Sequence, residues 1–293
     1  MKSKQPILVA NMENTENTYR KATNVGIVMI VSQYFVEFIL YSFLGWVWES
    51  IYCTVKEKKW ADRGFLFGPI CPIYGSCVVG ASLVLVFFPR LSEPDFPVWI
   101  LFILCYIGSA IAEFGTSWVL EKRFHARWWD YSKMPLNIQG RICVPVSCTF
   151  GIAGVLIIKY LLPLIAFARG LIPPLIYELL ALCFAILFGA DFAMTEVSLS
   201  QLLEEVEKIH AEFNEKAQER YDKVAEIPEN IKNRIERSRA FIERSNVNQK
   251  RIVDNIKSFT PLLNSSSEHN RGRELVLDSL KTALRDHRDH SRK

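Results

Sequence analysis

The chain has 293 residues, half of them apolar and 23% charged, with a net charge of +4. These averages hide a split: residues 196–293 carry 19 Lys/Arg and 18 Asp/Glu, whereas residues 25–195 hold long apolar runs. A nearly balanced tail excludes a polybasic arm for nucleic acid. The seven cysteines, an odd number placed in or beside the apolar runs, argue against an extracellular disulfide framework.

Crossing a bilayer takes roughly 20 consecutive apolar residues. Five stretches meet that length, at about 25–53, 68–88, 97–121, 142–162 and 171–195. The expected fold is all-α: a polytopic membrane helix bundle of about five spans. An extracytoplasmic N-terminal tail (1–24) precedes it, and a cytoplasmic helical or coiled-coil tail (196–293) follows. Pro6–Ala10 is too short for the apolar part of a signal peptide, so the first span is expected to be an uncleaved anchor.

Loop charge sets the orientation. Lys56, Lys58, Lys59 and Arg63 lie in the first loop, and Lys122, Arg123, Arg127, Lys133 and Arg141 in the third. Both loops are expected in the cytoplasm, with the N-terminus outside and the tail inside. Arg20 and Lys21 oppose this and are outweighed. Trp46, Trp48, Trp60, Trp118, Trp128 and Trp129 fall at the cytoplasmic level, where indole keeps its N–H wet.

The first four spans read as two hairpins of the same topology, a parallel repeat. Gly45-Trp-Val-Trp-Glu49 and Ser117-Trp-Val-Leu-Glu121 each end an inward helix. Arg63-Gly64 and Gly140-Arg141 follow, and Cys71-Pro72 and Cys143-Val-Pro145 open the returning helices. Proline suits a first helical turn, whose N–H groups have no intrahelical partner.

In the tail, Leu199, Leu202, Leu203, Val206, Ile209, Phe213, Ala217 and Val224 form a helical stripe. Pro228 interrupts it, and Ile231, Ile235, Ile242, Ile252, Ile256 and Phe259 resume it. Residues 264–267 read as a loop and 272–285 as a last helix. The stripe fits a helical element packed on itself, or a docking or dimerisation module.

Candidate chemistry sits at two levels. Glu37, Glu113 and Glu178 lie within spans and Asp191 near a cytoplasmic end, where an ionisable group is costly. They read either as an acidic relay or as carboxyls that fix packing, with no Lys or Arg expected at their depth. At the cytoplasmic rim, Glu49 and Glu121 end helices, and Arg63, Asp130, Asn137 and Arg141 follow in the loops. Free N–H groups at the returning helix starts, with the two arginines, would suit an anion. Glu–Arg pairs pinning loops to helix ends are the structural alternative. No Gly-x-x-x-x-Gly-Lys-Ser/Thr loop, metal-ligand spacing or nucleophile elbow is found. No metal or other cofactor is expected.

Phe43-Leu-Gly-Trp46 with Glu49, Arg63-Gly-Phe-Leu-Phe-Gly-Pro-Ile-Cys-Pro-Ile-Tyr-Gly75, Leu120-Glu121, Trp129-Asp-Tyr-Ser132 and Asn137-Ile-Gln-Gly-Arg-Ile-Cys143 resemble the bacterial family described as putative ABC-transporter type IV, whose members are labelled ABC transporter permease. The resemblance covers roughly residues 34–165. It implies a bacterial plasma-membrane protein, and a permease would need a separate ATPase subunit. Five spans would call for a homodimer to enclose a pathway. The expected function is therefore a transport-related membrane subunit with a polar rim site, not an enzyme in its own right. The rivals are a non-transporting sensor or scaffold whose tail recruits partners, and a membrane enzyme acting on lipid head groups.

Overall fold

The computed structural model describes residues 5–58, 60, 64–220, 227–259 and 267–291. Helix α1 runs from Gln5 to Glu57, α2 from Pro72 to Phe87 and α3 from Val98 to Phe124. Helix α4 (Val144–Leu156) continues through a π-helical segment, Ile157–Leu161, into α5 (Leu162–Arg169). Pro163 explains the widened turn, because it offers no N–H and its ring crowds the preceding carbonyls. Helix α6 spans Pro174–Arg220 without a break at residue 196. In the tail follow α7 (Ile227–Arg244), α8 (Val247–Asn255) and α9 (Ser267–His290).

Four helical segments are long and apolar enough to cross a bilayer: Val28–Lys56, Val98–Phe124, Val144–Arg169 and Pro174–Ile209. The second expected span differs, because α2 has only 16 residues, or about 24 Å at 1.5 Å per residue. Gly64, Gly68, Pro69 and Pro72 keep Gly64–Cys71 out of a helix. This non-helical segment is largely covered by protein, with Leu66 and Cys71 buried, as non-helical backbone at membrane depth requires.

The chain still reverses at α2. Gly75 abuts Phe38 and Ser42 of α1, and Gly45 abuts Tyr74; a Cβ at either glycine would collide. Close approach through small residues is how helices associate in lipid, where apolar side chains gain nothing by leaving the tails. Gly151 and Gly154 seat Phe102 and Cys105 in the same way between α4 and α3. Helix α6 runs in the same direction as α1, with Ser32 beside Glu178 and Phe38 beside Phe188.

One local feature of the expected repeat recurs, although Glu49 lies within α1 and does not end it as expected. Cys71 and Cys143 are both buried, both extended, and both cap a helix with proline in its first turn.

The tail is helical, as expected, but no coiled coil is shown. Leu199, Leu202, Val206 and Ile209 on α6 pack with Ile242, Ile252, Ile256, Val276, Leu277, Leu280 and Leu284 into one core. Asn246 opens α8 with a reciprocal capping box to Gln249. Phe213, Ala217, Val224 and Ile231 lie outside the residues whose side chains are described, and residues 264–266 lie outside the described chain. Pro228 stands at the start of α7.

The tail core continues into the bundle through Phe124 and Ala126, with Phe65, Phe67, Leu120 and Trp128 packed against it. A two-residue strand β1 (Ala126–Arg127) pairs antiparallel with the tail strand β4 (Ser258–Phe259), in register Ala126 with Phe259. The same side of the bundle holds the non-helical segment 64–71 and the α3–α4 loop; we refer to it as the tail side.

Candidate functional site: a polar interior under two signature loops

Glu113, Ser117 and Glu121 are all buried on α3. Their spacing of four residues places them on one helix face, pointing into the bundle. At its tail-side end, Glu121 is 5% exposed and holds two guanidinium groups. Arg127 donates from Nε and Nη2 to Oε1, at 3.2 and 3.0 Å. Arg141 Nη2 lies 2.6 Å from Oε2, and its guanidinium sits over the Phe114 ring at 5.3 Å. The expected pairing of Glu121 with Arg141 is present, and Arg127 is a partner that the sequence reading did not single out.

The α3–α4 loop is braced throughout. Its short strands β2 (Asn137–Ile138) and β3 (Ile142–Cys143) pair antiparallel. Asn137 donates to the carbonyls of Met134 and Ser132, at 2.8 and 3.3 Å, and accepts the Gly140 N–H at 3.1 Å. Asp130 accepts from the Ser132 N–H at 2.9 Å and from its hydroxyl. Burial works against the Asp130 charge, but Ser132 and then Arg127 outweigh it and hold the carboxyl below its usual range. Gly140 has φ +68°, and a Cβ there would strike Ser132 and Asp130. Asp130 and Asn137 thus shape the loop, and Asp130 also comes within 3.9 Å of Arg127.

That shaping aims Tyr131 into the bundle. Its N–H donates to the Gly140 carbonyl at 2.7 Å, and its hydroxyl donates to Glu113 Oε1 at 3.3 Å. Burial, and then Glu113, Cys143 and Glu49, push the Tyr131 phenol well above its ordinary range, so it stays a donor. Tyr131 is a site residue that the sequence quotes only as part of Trp129-Asp-Tyr-Ser132. A tyrosine between Asp130 and Ser132 in a loop of turn-forming residues was the available signal.

On the first hairpin, the Cys71 thiol donates to Glu49 Oε2 at 3.7 Å. Arg63 lies outside the described residues. The amides that hold a carboxylate are those of the non-helical segment before α2, not those of the helix start, and the carboxylate is the chain's own. The Phe67 and Gly68 N–H groups each donate to the Asp191 carboxylate at 2.9 Å, and Thr195 lies beside it. From the tail, Arg251 donates to the Phe67 carbonyl at 2.6 Å and Asn255 to the Gly64 carbonyl at 3.5 Å.

The far side corrects one expectation. Arg169, at the end of α5, reaches Glu37 with two hydrogen bonds of 2.9 Å and lies over the Tyr34 ring. A cation therefore does sit at the depth of an intramembrane acid. The two residues are 132 positions apart, so no local pattern could join them. Glu178 accepts from Ser32 at 3.0 Å.

Fold and site together define a multi-pass helical membrane protein with buried carboxyls among its helices and a tail packed on its loops. The chain belongs to the family described as Putative ABC-transporter type IV, which matches residues 36–196, from within α1 to within α6. The tail beyond residue 196 lies outside that match. No curated protein and no solved structure matches the chain.

Proposed function

We propose that the protein is a transport-related subunit of the bacterial plasma membrane, with its N-terminus outside and its tail in the cytoplasm. One observation carries this reading: beside buried apolar residues such as Tyr41, Val78 and Leu101, the membrane helices bury a row of polar and acidic side chains. Ser32, Glu37, Ser42 and Ser50 are buried on α1, Ser82 on α2, Glu113, Ser117 and Glu121 on α3, and Ser147 on α4. A bundle needs small residues for close packing, but it does not need three buried glutamates. A lined interior is what passage of a small polar solute requires.

The chain carries no phosphate-binding loop, so uphill movement would draw on a separate ATPase subunit. The lipid-facing surface leaves room for a second copy, and a homodimer is the assembly that would enclose a wider path. The Glu121 site, with its paired arginines, is the substrate-proximal element in this reading.

Deletion of the protein should alter the cellular content of at least one small polar solute. Wild type should restore it, and a membrane-inserted Arg141→Ala variant should not. If both variants restore the profile equally, the rim is structural, and the scaffold reading gains. A deletion that changes no solute removes the transport reading.

A further inference from the structure

We propose that Glu113 is a proton-binding site in the interior of the bundle, closed from the tail side by Tyr131. Glu113 lies eleven residues from the end of α3 at Phe124, about 16 Å in at 1.5 Å per residue. It is 6% exposed. Oε1 accepts the Tyr131 hydroxyl, and among the described residues Oε2 is buried with no donor. The titratable groups that act on it are Glu49 from α1, Tyr74 and Cys77 from α2, and Tyr131 from the loop. All are acids, so none supplies a positive charge. Of the other intramembrane acids, Glu37 has Arg169, Glu121 has Arg127 and Arg141, and Asp191 has two backbone N–H groups; Glu178 also has one oxygen without a donor among the described residues, but it is only half-buried and its other oxygen accepts from Ser32.

A buried carboxylate oxygen with no donor needs a counter-charge or a proton. The ligand that fits a single enclosed oxygen is a proton, because a metal cation needs a shell of several oxygens. Binding adds H⁺ to a lone pair of Oε2 and leaves a neutral carboxyl. Oε1 keeps the Tyr131 hydrogen bond. Tyr131 is tied through Gly140 to the loop whose next residue, Arg141, sits on Glu121. The charge on Glu113 and the seat of the loop on Glu121 are therefore linked through one short stretch of backbone. The site rests on this geometry, and it stands or falls independently of the transport reading.

The test uses the full chain in membranes and dicyclohexylcarbodiimide, an apolar reagent that adds to protonated carboxyl groups within a bilayer. Adducts are located by mass spectrometry across a pH series. Glu113 should be modified at least tenfold faster at the acid end of the series than at the alkaline end. Glu37, held by Arg169, should stay unmodified. Tyr131→Phe should move the midpoint of the pH dependence, and Glu113→Gln should remove the adduct there. Should Glu113→Gln fail to insert, the wild-type pH series alone decides. Absence of a Glu113 adduct at every pH, or an adduct whose rate ignores pH, overturns the proposal. The reaction needs no solute, so an adduct without a solute phenotype would sink only the transport reading.

Discussion

In the tail the buried core is dominated by residues such as Leu202, Ile242, Ile256, Leu277 and Leu280, whereas in the membrane bundle Ser42, Glu113, Ser117, Glu121 and Ser147 are buried beside Tyr41, Val78 and Leu101. Exposure inverts as well, with Ile111, Leu179, Leu182 and Ile186 on the outside of the bundle. The difference follows from the solvent. Water drives apolar side chains into the tail core, whereas lipid accepts them and leaves packing and hydrogen bonds to join the helices. Helix α6 passes from one regime to the other without interruption, and its buried residues change from Tyr177 and Ala181 to Leu199, Leu202 and Val206.

The contrast is most exposed to failure at Glu121. Glu121→Ala leaves two guanidinium groups at the rim without their shared carboxylate. Removing one partner of a buried ionic group costs about 3–5 kcal/mol. Thermal unfolding in detergent should show a loss of that order. A loss of only about 0–1 kcal/mol, the value of an exposed ion pair, would mean that the polar interior does not hold the bundle together.

A somewhat smaller effect compares two leucines. Leu280 is 1% exposed in the tail, and Leu182 is 61% exposed on the membrane part of α6. Leu280→Ala should cost about 2–5 kcal/mol. Leu182→Ala should stay within about 0.5 kcal/mol. Hydrogen exchange along α9 and detergent melting of the bundle would read the two separately. Equal losses would mean that the outward apolar side chains of the bundle are packed as the tail core is.

The smallest effect is a pH dependence confined to the tail. Burial raises the Glu274 carboxyl above its usual value, although the Phe259 N–H that it accepts acts the other way. A raised carboxyl binds its proton more tightly in the folded tail than in the unfolded one. Its contribution is then fully present below the unfolded value and is lost as pH rises through the folded one. Hydrogen-exchange protection of α9 should therefore fall as pH rises through the carboxylate range, after correction for intrinsic exchange. Glu274→Gln should flatten that slope, and an unchanged slope would assign it to another group.

The membrane helices were legible because apolar runs of that length have few other uses. The shortened α2 was legible in principle from Gly64, Gly68, Pro69 and Pro72, but the apolar run around them concealed the break. The Glu121–Arg141 pair could be read because both ends lie in neighbouring segments. Arg169 with Glu37, Asp191 with Phe67 and Gly68, and Arg251 with Phe67 could not. Each joins elements more than a hundred positions apart, and periodicity carries no information about such pairs. The tail stripe announced helices, but not that they would fold back onto Phe124 and Ala126.

The pairing of Ala126–Arg127 with Ser258–Phe259 fixes an order of events in synthesis. The ribosome delivers the α3–α4 loop more than a hundred residues before its strand partner exists. Both hairpins must therefore enter the membrane with that edge open, and the amide of Lys257 reaches the Arg127 carbonyl only after α6, α7 and α8 have been made. Assembly finishes at the tail side, and a chain released early would leave the loop edge bare.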